Sequence, residues 1–392
     1  MAAVKKATTK KAPAKASAKT AAKPAEKKAY TSSFKMDKKA EGFLYEYLNA
    51  NSPVGYETSG QQIWLDYLKP YIDDKITDVY GTAVGVINPG KKFSVVIEAH
   101  ADEIAWTVNY ITPDGYLYLA RLGGSDHMIA PSMRVLVHGE KGIIPGIFGW
   151  PAIHVRDRAR EEGPSMKNLC VDIGAKDRAE AIKMGVDIGT VITFADGLTT
   201  LNDRFYVGRA LDNRLGGFVI AQVARMIKEK KVKLPYTLYI VNSVQEEIGL
   251  RGAEMISRRL GPNVAICMDV THDTQSPFYN KKEQGDLACG KGPVITIAPA
   301  IQKKLYQLMI ATAKAKKIPY QVQTGHGYST GTDTDSFAYS GIGVASALLS
   351  IALKYMHTTV ETVHKDDIGS TVDMYVEILK ALKGNEDFRP IK

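Results

Sequence analysis

Residues 236–253 read YTLYIVNSVQEEIGLRGA, an apolar, β-branched run that leads straight into two adjacent glutamates, Glu246 and Glu247. The run YTLYIVNSV has the composition of a strand buried on both faces. Neighbouring side chains on an extended chain point to opposite faces, so the two carboxylates cannot do the same job on the same atom. A glycosidase pair is therefore disfavoured, since its carboxyls face each other across one bond at about 5–10 Å.

Outward from this strand the pattern repeats. KKFSVVIEAH, NVAICMDV and GVASALLSIAL are further buried-strand runs. Between and around them, DKKAEGFLYEYLNA, QQIWLDYLKPYI, NRLGGFVIAQVARMIKEKK, QKKLYQLMIATAKAKK and STVDMYVEILKALK have helical spacing. Strands alternating with helices predict an α/β fold, a mixed sheet flanked by helices, with functional residues at the carboxyl ends of its strands. From about Val108 to Val207 the rhythm changes to short strands with Gly and Pro turns, as in ITPDGYLYLARLGG and MRVLVHGEKGIIPGIFGWP. That stretch reads as a small β-barrel or sandwich inserted into the α/β domain. The expected organisation is a tail over 1–33, catalytic domain over 34–107, insert over 108–207 and catalytic domain again over 208–392.

The net charge of +9 is concentrated in the tail. Residues 1–28 hold nine lysines and one glutamate, leaving the remainder nearly neutral. Low-complexity Lys/Ala/Pro/Thr sequence cannot offset its ordering entropy by burial, so a disordered tether with weak polyanion affinity is expected. It lacks the apolar core of a secretory signal, and nothing later is long enough to span a membrane. Three cysteines, Cys170, Cys267 and Cys289, lack metal-type spacing and suit a reducing, cytoplasmic location.

Acidic and histidine residues gather where the strands end: His100 and Asp102 after VVIEA, Asp212 opening a helix, Glu246 and Glu247, Asp269 in AICMDV, and His357 after the last long strand. Each alone has an ordinary structural explanation, as a buried histidine or a helix cap. Together they place many charges at converging strand ends, which is costly without cations. Imidazoles with several carboxylates are ligands for pairs of zinc, cobalt or manganese ions.

The ordered set HADE, ALDNR, EEIGLRGA, MDVTHD, GTDTDSFAYSGIGVASALL and YMHTTVE closely resembles the TET-type (tetrahedral) glutamyl and deblocking aminopeptidases, a family of two-metal peptidases. The resemblance implies a metal-dependent aminopeptidase with a zinc-peptidase-like catalytic domain. It implies that Asp212 bridges two divalent ions, that Glu247 and His357 complete one site, and that His100 and Asp269 complete the other. It makes Asp102 the residue that orients His100, Glu246 the general base, and Thr332 and Asp333 neighbours of a peptide substrate. It also implies that the insert pairs subunits into dimers that build a dodecamer. Two other readings stay open: a di-metal carboxypeptidase or amide deacylase, and a nonenzymatic scaffold that binds polyanions through the lysine tail.

Overall fold

The computed structural model describes residues 30–157, 162–325 and 327–391. Residues 1–29, on which most of the tail expectation rests, lie outside the described residues, as does His326.

Among the described residues the main sheet has eleven strands, numbered here in chain order. Its order is β1 (Asp74–Thr77), β2 (Ala83–Ile87), β12 (Thr237–Ser243), β3 (Ser94–His100), β13 (Val264–His272), β16 (Ala345–Lys354), β17 (Glu361–His364), β11 (Phe205–Gly208) and β10 (Thr199–Leu201). Two more strands, β14 (Val294–Ile297) and β15 (Gln321–Thr324), continue from β16 as a branch. The central four, β12, β3, β13 and β16, are parallel, and their outer neighbours β2 and β17 are antiparallel to them. This is the mixed sheet expected. The central strands are covered on both faces, which is why they are written as almost unbroken apolar runs.

Helix α4 (Leu211–Glu229) lies on one face, packed against β3 and flanked by α1 (Lys38–Asn49), α2 (Thr58–Leu68) and α9 (Lys365–Ala381). Its close approach explains the pair Gly216–Gly217. A Cβ on Gly216 would come within 2.8 Å of the Ala99 methyl on β3 and within 2.3 Å of Asn213 Oδ1. Helices α5 (Arg251–Leu260) and α8 (Thr334–Ala338) cover the opposite face, where Ile256 and Phe337 pack with Val96, Val241 and Cys267. At the N-terminal side, Ser32 and Ser33, counted with the tail on composition, hydrogen-bond Asp373 of α9 at 2.6 Å from Ser32 Oγ and 2.8 Å from the Ser33 amide.

The insert is a closed barrel of six strands: β4 (Ala105–Ile111), β5 (Leu117–Leu122), β8 (Cys170–Asp172), β7 (Gly142–Phe148), β6 (Arg134–Gly139) and β9 (Val191–Phe194), with β9 pairing back onto β4. Trp106, Phe148 and Phe194 meet in its core, the Trp106 ring edge-on to both phenylalanines. Helix α3 (Arg178–Met184), capped by Asp177, adds Ala181 to that core. Strands β10 and β11 lie within the stretch 108–207 read as insert, yet they pair with the main sheet through β17. The barrel strands themselves run from Ala105 to Phe194.

Candidate active site

The parallel strands deliver their carboxyl ends to one place. His100 is the last residue of β3, Asp269 lies near the end of β13, and Asp212 sits in the first turn of α4. Glu246 and Glu247 form a single tight turn after β12, and His357 lies in the turn after β16 with a positive φ of 62°. Their donor atoms form three overlapping groups, each within 4.8 Å: His100–Asp212–Asp269, Asp212–Glu247–His357 and His100–Glu246–Glu247. The two oxygens of Asp212 are divided between the histidines, with Oδ1 at 3.3 Å from His100 Nε2 and Oδ2 at 3.2 Å from His357 Nε2. Glu247 Oε1 is 3.3 Å from His357 Nε2, and Glu246 Oε2 is 3.9 Å from His100 Nε2.

The charge balance of this cluster is what a cation pair would correct. Burial pushes the Glu246 carboxyl up to about 10, reinforced by Asp269, Asp333 and Glu247 and opposed by His100. Burial also raises Glu247 and Asp269, with Asp212 adding repulsion to each. Burial opposes the His357 cation, but Asp212 and Glu247 outweigh it and lift the imidazole to about 11. Glu246, Glu247 and Asp269 are pushed toward their protonated forms, while His100 and His357 hold the Asp212 carboxyl well below its usual range; divalent ions are the natural replacement for the protons this cluster retains. The residues therefore fit a pair of hard or borderline cations in both donor type and spacing.

A second layer of buried carboxylates sets the geometry. Asp102 accepts from the amides of Glu246 and Glu247, each at 3.0 Å, and its Oδ1 lies 3.3 Å from His100 Nδ1 without hydrogen-bond alignment. Glu57 accepts from the amides of Gly55 and Gln245, so three successive amides of the glutamate turn rest on two carboxylates. Glu361 ties two members of the cluster together, accepting from the His357 amide at 2.7 Å and the Asp212 amide at 3.0 Å. Glu361 was visible in the motif YMHTTVE, but its role depends on a backbone contact that spacing cannot reveal.

Among the described residues, the barrel brings a close approach to the cluster rather than a donor atom within it. After β5 ends at Leu122 the chain turns through Gly123 and Gly124, and a Cβ on Gly124 would lie 2.5 Å from His357 Nδ1. Gly123, with φ of 70°, passes beside the Glu247 side chain. Ser125 Oγ then ties the loop to the Ala105 carbonyl at 2.6 Å.

Of the two substrate-side candidates, Thr332 lines the cavity in front of the cluster, a space of about 520 Å³. Asp333 turns beneath it and accepts from Ser243 Oγ at 2.7 Å, the same hydroxyl that lies 2.6 Å from Glu98. His272 also lines the cavity, whereas His127 and His364 are elsewhere.

Comparison with known proteins agrees with this layout. Residues 81–374 match the family model described as M42 glutamyl aminopeptidase. The chain is 36% identical over 341 residues to a lysyl aminopeptidase from Pyrococcus furiosus, covering 86% of this chain and 95% of the relative. In structure it is similar to a TET aminopeptidase from the marine sediment archaeon Thaumarchaeota archaeon SCGC AB-539-E09, with TM-score 0.83 and 26% identity over 88% of this chain and 97% of that one. It is also similar to the TET1 peptidase of Pyrococcus horikoshii, described as assembling into a tetrahedron or a large octahedral shell, with TM-score 0.76 and 26% identity over 86% and 98% of the two chains. Fold and matches together define the class as an aminopeptidase, a hydrolase acting on peptide bonds. Within that class, the chain belongs to the M42 glutamyl aminopeptidase family.

Proposed function

We propose that this aminopeptidase works with two divalent cations, zinc, cobalt or manganese, held by His100, Asp212, Glu247, Asp269 and His357, and releases N-terminal residues from peptides. The observation that carries the reading is the division of the Asp212 carboxylate between two histidine-containing groups. When bound, such ions polarise the scissile carbonyl and make water more acidic. The chain's own residues do the rest. Asp212 offers one oxygen to each side. Asp102 holds the glutamate turn against β3, so that Glu246 stays beside the cluster while Glu247 contributes to it. Glu246 takes a proton from the attacking water and passes it to the leaving amine. The division explains two adjacent glutamates: one neighbour binds, the other moves the proton.

Assembly is part of the same proposal. Solved relatives include a TET1 peptidase described as assembling into a tetrahedron or a large octahedral shell, and this chain carries a closed six-stranded barrel inserted after β3. We infer a homo-oligomer built through the barrel, from a dimer up to a dodecamer, that admits peptides and excludes folded proteins. The cytoplasm and a weak polyanion affinity of the tail are the remaining parts of the reading; no described helix is long and apolar enough to cross a membrane.

The test is a panel of aminoacyl anilides assayed with each metal, alongside metal analysis of the dialysed protein. Chelation should abolish hydrolysis and metal should return it. A stoichiometry near zero in active protein would refute the two-metal reading.

A further inference from the structure

Resting on the aminopeptidase reading, we infer that the pocket beside the metal cluster selects an uncharged, hydrogen-bonding N-terminal side chain, with glutamine the best fit. The sheet face that carries Asp269 continues away from the cluster as a row of neutral polar residues. Thr271 is two residues along β13 and so shares the face of Asp269. Ser350 on β16 stands opposite Asp269 in register. Val294 of β14 is opposite Ser350, which places Thr296 on the same face, and Gln323 of β15 is opposite Thr296. All four polar residues line the cavity.

Their hydrogen bonding leaves both donors and acceptors for a ligand. Thr271 Oγ1 donates to Gln323 Oε1 at 2.8 Å, and Gln323 Nε2 donates to Thr296 Oγ1 at 2.8 Å. The Gln323 amide is thus pinned, with one N–H and the Thr296 hydroxyl proton still to be used. The Ser350 hydroxyl is fully buried and has no protein partner. A buried hydroxyl without a partner is costly; Ser350 belongs to the cavity lining, so a substrate group that reaches it supplies the missing partner.

Charged side chains fit this wall badly. Among the described lining residues there is no Lys or Arg, so a carboxylate finds no permanently charged side chain to pair with. The acids in the lining, Asp212, Glu246, Glu247 and Asp269, are already engaged at the cluster, which leaves none for a lysine. The histidines of the lining are His357, which belongs to the cluster, and His272, whose Nδ1 lies 3.2 Å from Tyr279 Oη. A purely apolar side chain would leave the Ser350 hydroxyl, the Thr296 hydroxyl proton and one Gln323 N–H without a partner. Sites built to hydrogen-bond a group discriminate strongly against its apolar isostere.

The experiment measures kcat/KM of the full-length, metal-loaded protein on glutamine, glutamate, lysine and methionine anilides. Glutamine should exceed glutamate and lysine by about 10-fold or more, and methionine, its apolar near-isostere, by a smaller margin. Ser350→Ala should lower the glutamine-to-methionine ratio about 10-fold, and Gln323→Glu should raise lysine hydrolysis relative to glutamine. Metal content of each variant reports whether its fold is intact. A preference for glutamate or lysine, or ratios unmoved in both variants that retain metal, would overturn the pocket assignment while leaving the aminopeptidase standing. Failure to hydrolyse any anilide would sink both.

Discussion

At the residue scale, the adjacent glutamates should separate cleanly by mutation. Glu246→Gln is expected to keep its metal yet lose turnover by about 100-fold or more, the usual scale for a missing general base. Glu247→Ala should instead lose metal, because Glu247 lies against His357 rather than His100. Equal metal loss in both, measured by elemental analysis, would contradict the division. A pH dependence follows from the same cluster. With no cation beside them, His357 and Glu246 hold protons at neutral pH, their pKa values lifted to about 11 and about 10. Cations must displace these protons, so binding releases them and weakens as pH falls. Calorimetry of metal binding in buffers of different ionisation enthalpy should register net proton release, and chelators should strip the protein faster at pH 5 than at pH 8. No proton release would count against His357 as a ligand. The residues that form this cluster were legible because each follows an apolar run or opens a helix. Glu57, Glu98 and Glu361 were not, because they act through backbone amides or a buried hydroxyl from distant points in the chain.

At the scale of elements, strand and helix identities followed from periodicity, while sheet membership did not. Thr199–Leu201 and Phe205–Gly208 look like the short barrel strands beside them, and only the pairing of the second with β17, and of the first with the second, assigns them to the main sheet. Barrel and sandwich likewise share one sequence pattern, since closure depends on β9 meeting β4 across the intervening chain. The β5 loop gives this level its own prediction. Gly124→Ala adds a methyl carbon 2.5 Å from His357 Nδ1, closer than any contact can remain. His357 is partly exposed and should yield by rotating away, weakening metal binding by about 10-fold or more, as disturbed ligand orientation generally does. Titration with cobalt would reveal the loss. Unchanged affinity would mean that the loop, not the imidazole, gives way.

For the whole molecule, light scattering during size-exclusion chromatography should give a mass well above one chain, near twelve chains for the full shell or two for the barrel-mediated pair alone. A fully active monomer would refute assembly as the role of the barrel without touching the metal chemistry. Deleting residues 1–29, which leaves Ser32 and Ser33 on Asp373, should spare anilide hydrolysis and abolish any retention on a polyanion column. Such retention in the full chain should fall steeply with salt. A truncated protein that lost most of its peptidase activity would show that the tail does more than carry charge.

The way the chain enters and leaves the barrel has a consequence for its history. Entry is by β4 and exit by β9, and these are hydrogen-bonded neighbours, with Trp106 opposite Ile192 and Thr107 opposite Val191. The two ends of the module therefore meet side by side, the arrangement in which insertion of one domain into another is best tolerated. A single splice between β3 and α4 could have added the barrel to an ancestral sheet without moving a strand. By the same route such a module can be exchanged as a cassette while the sheet and the residues at its strand ends stay in place.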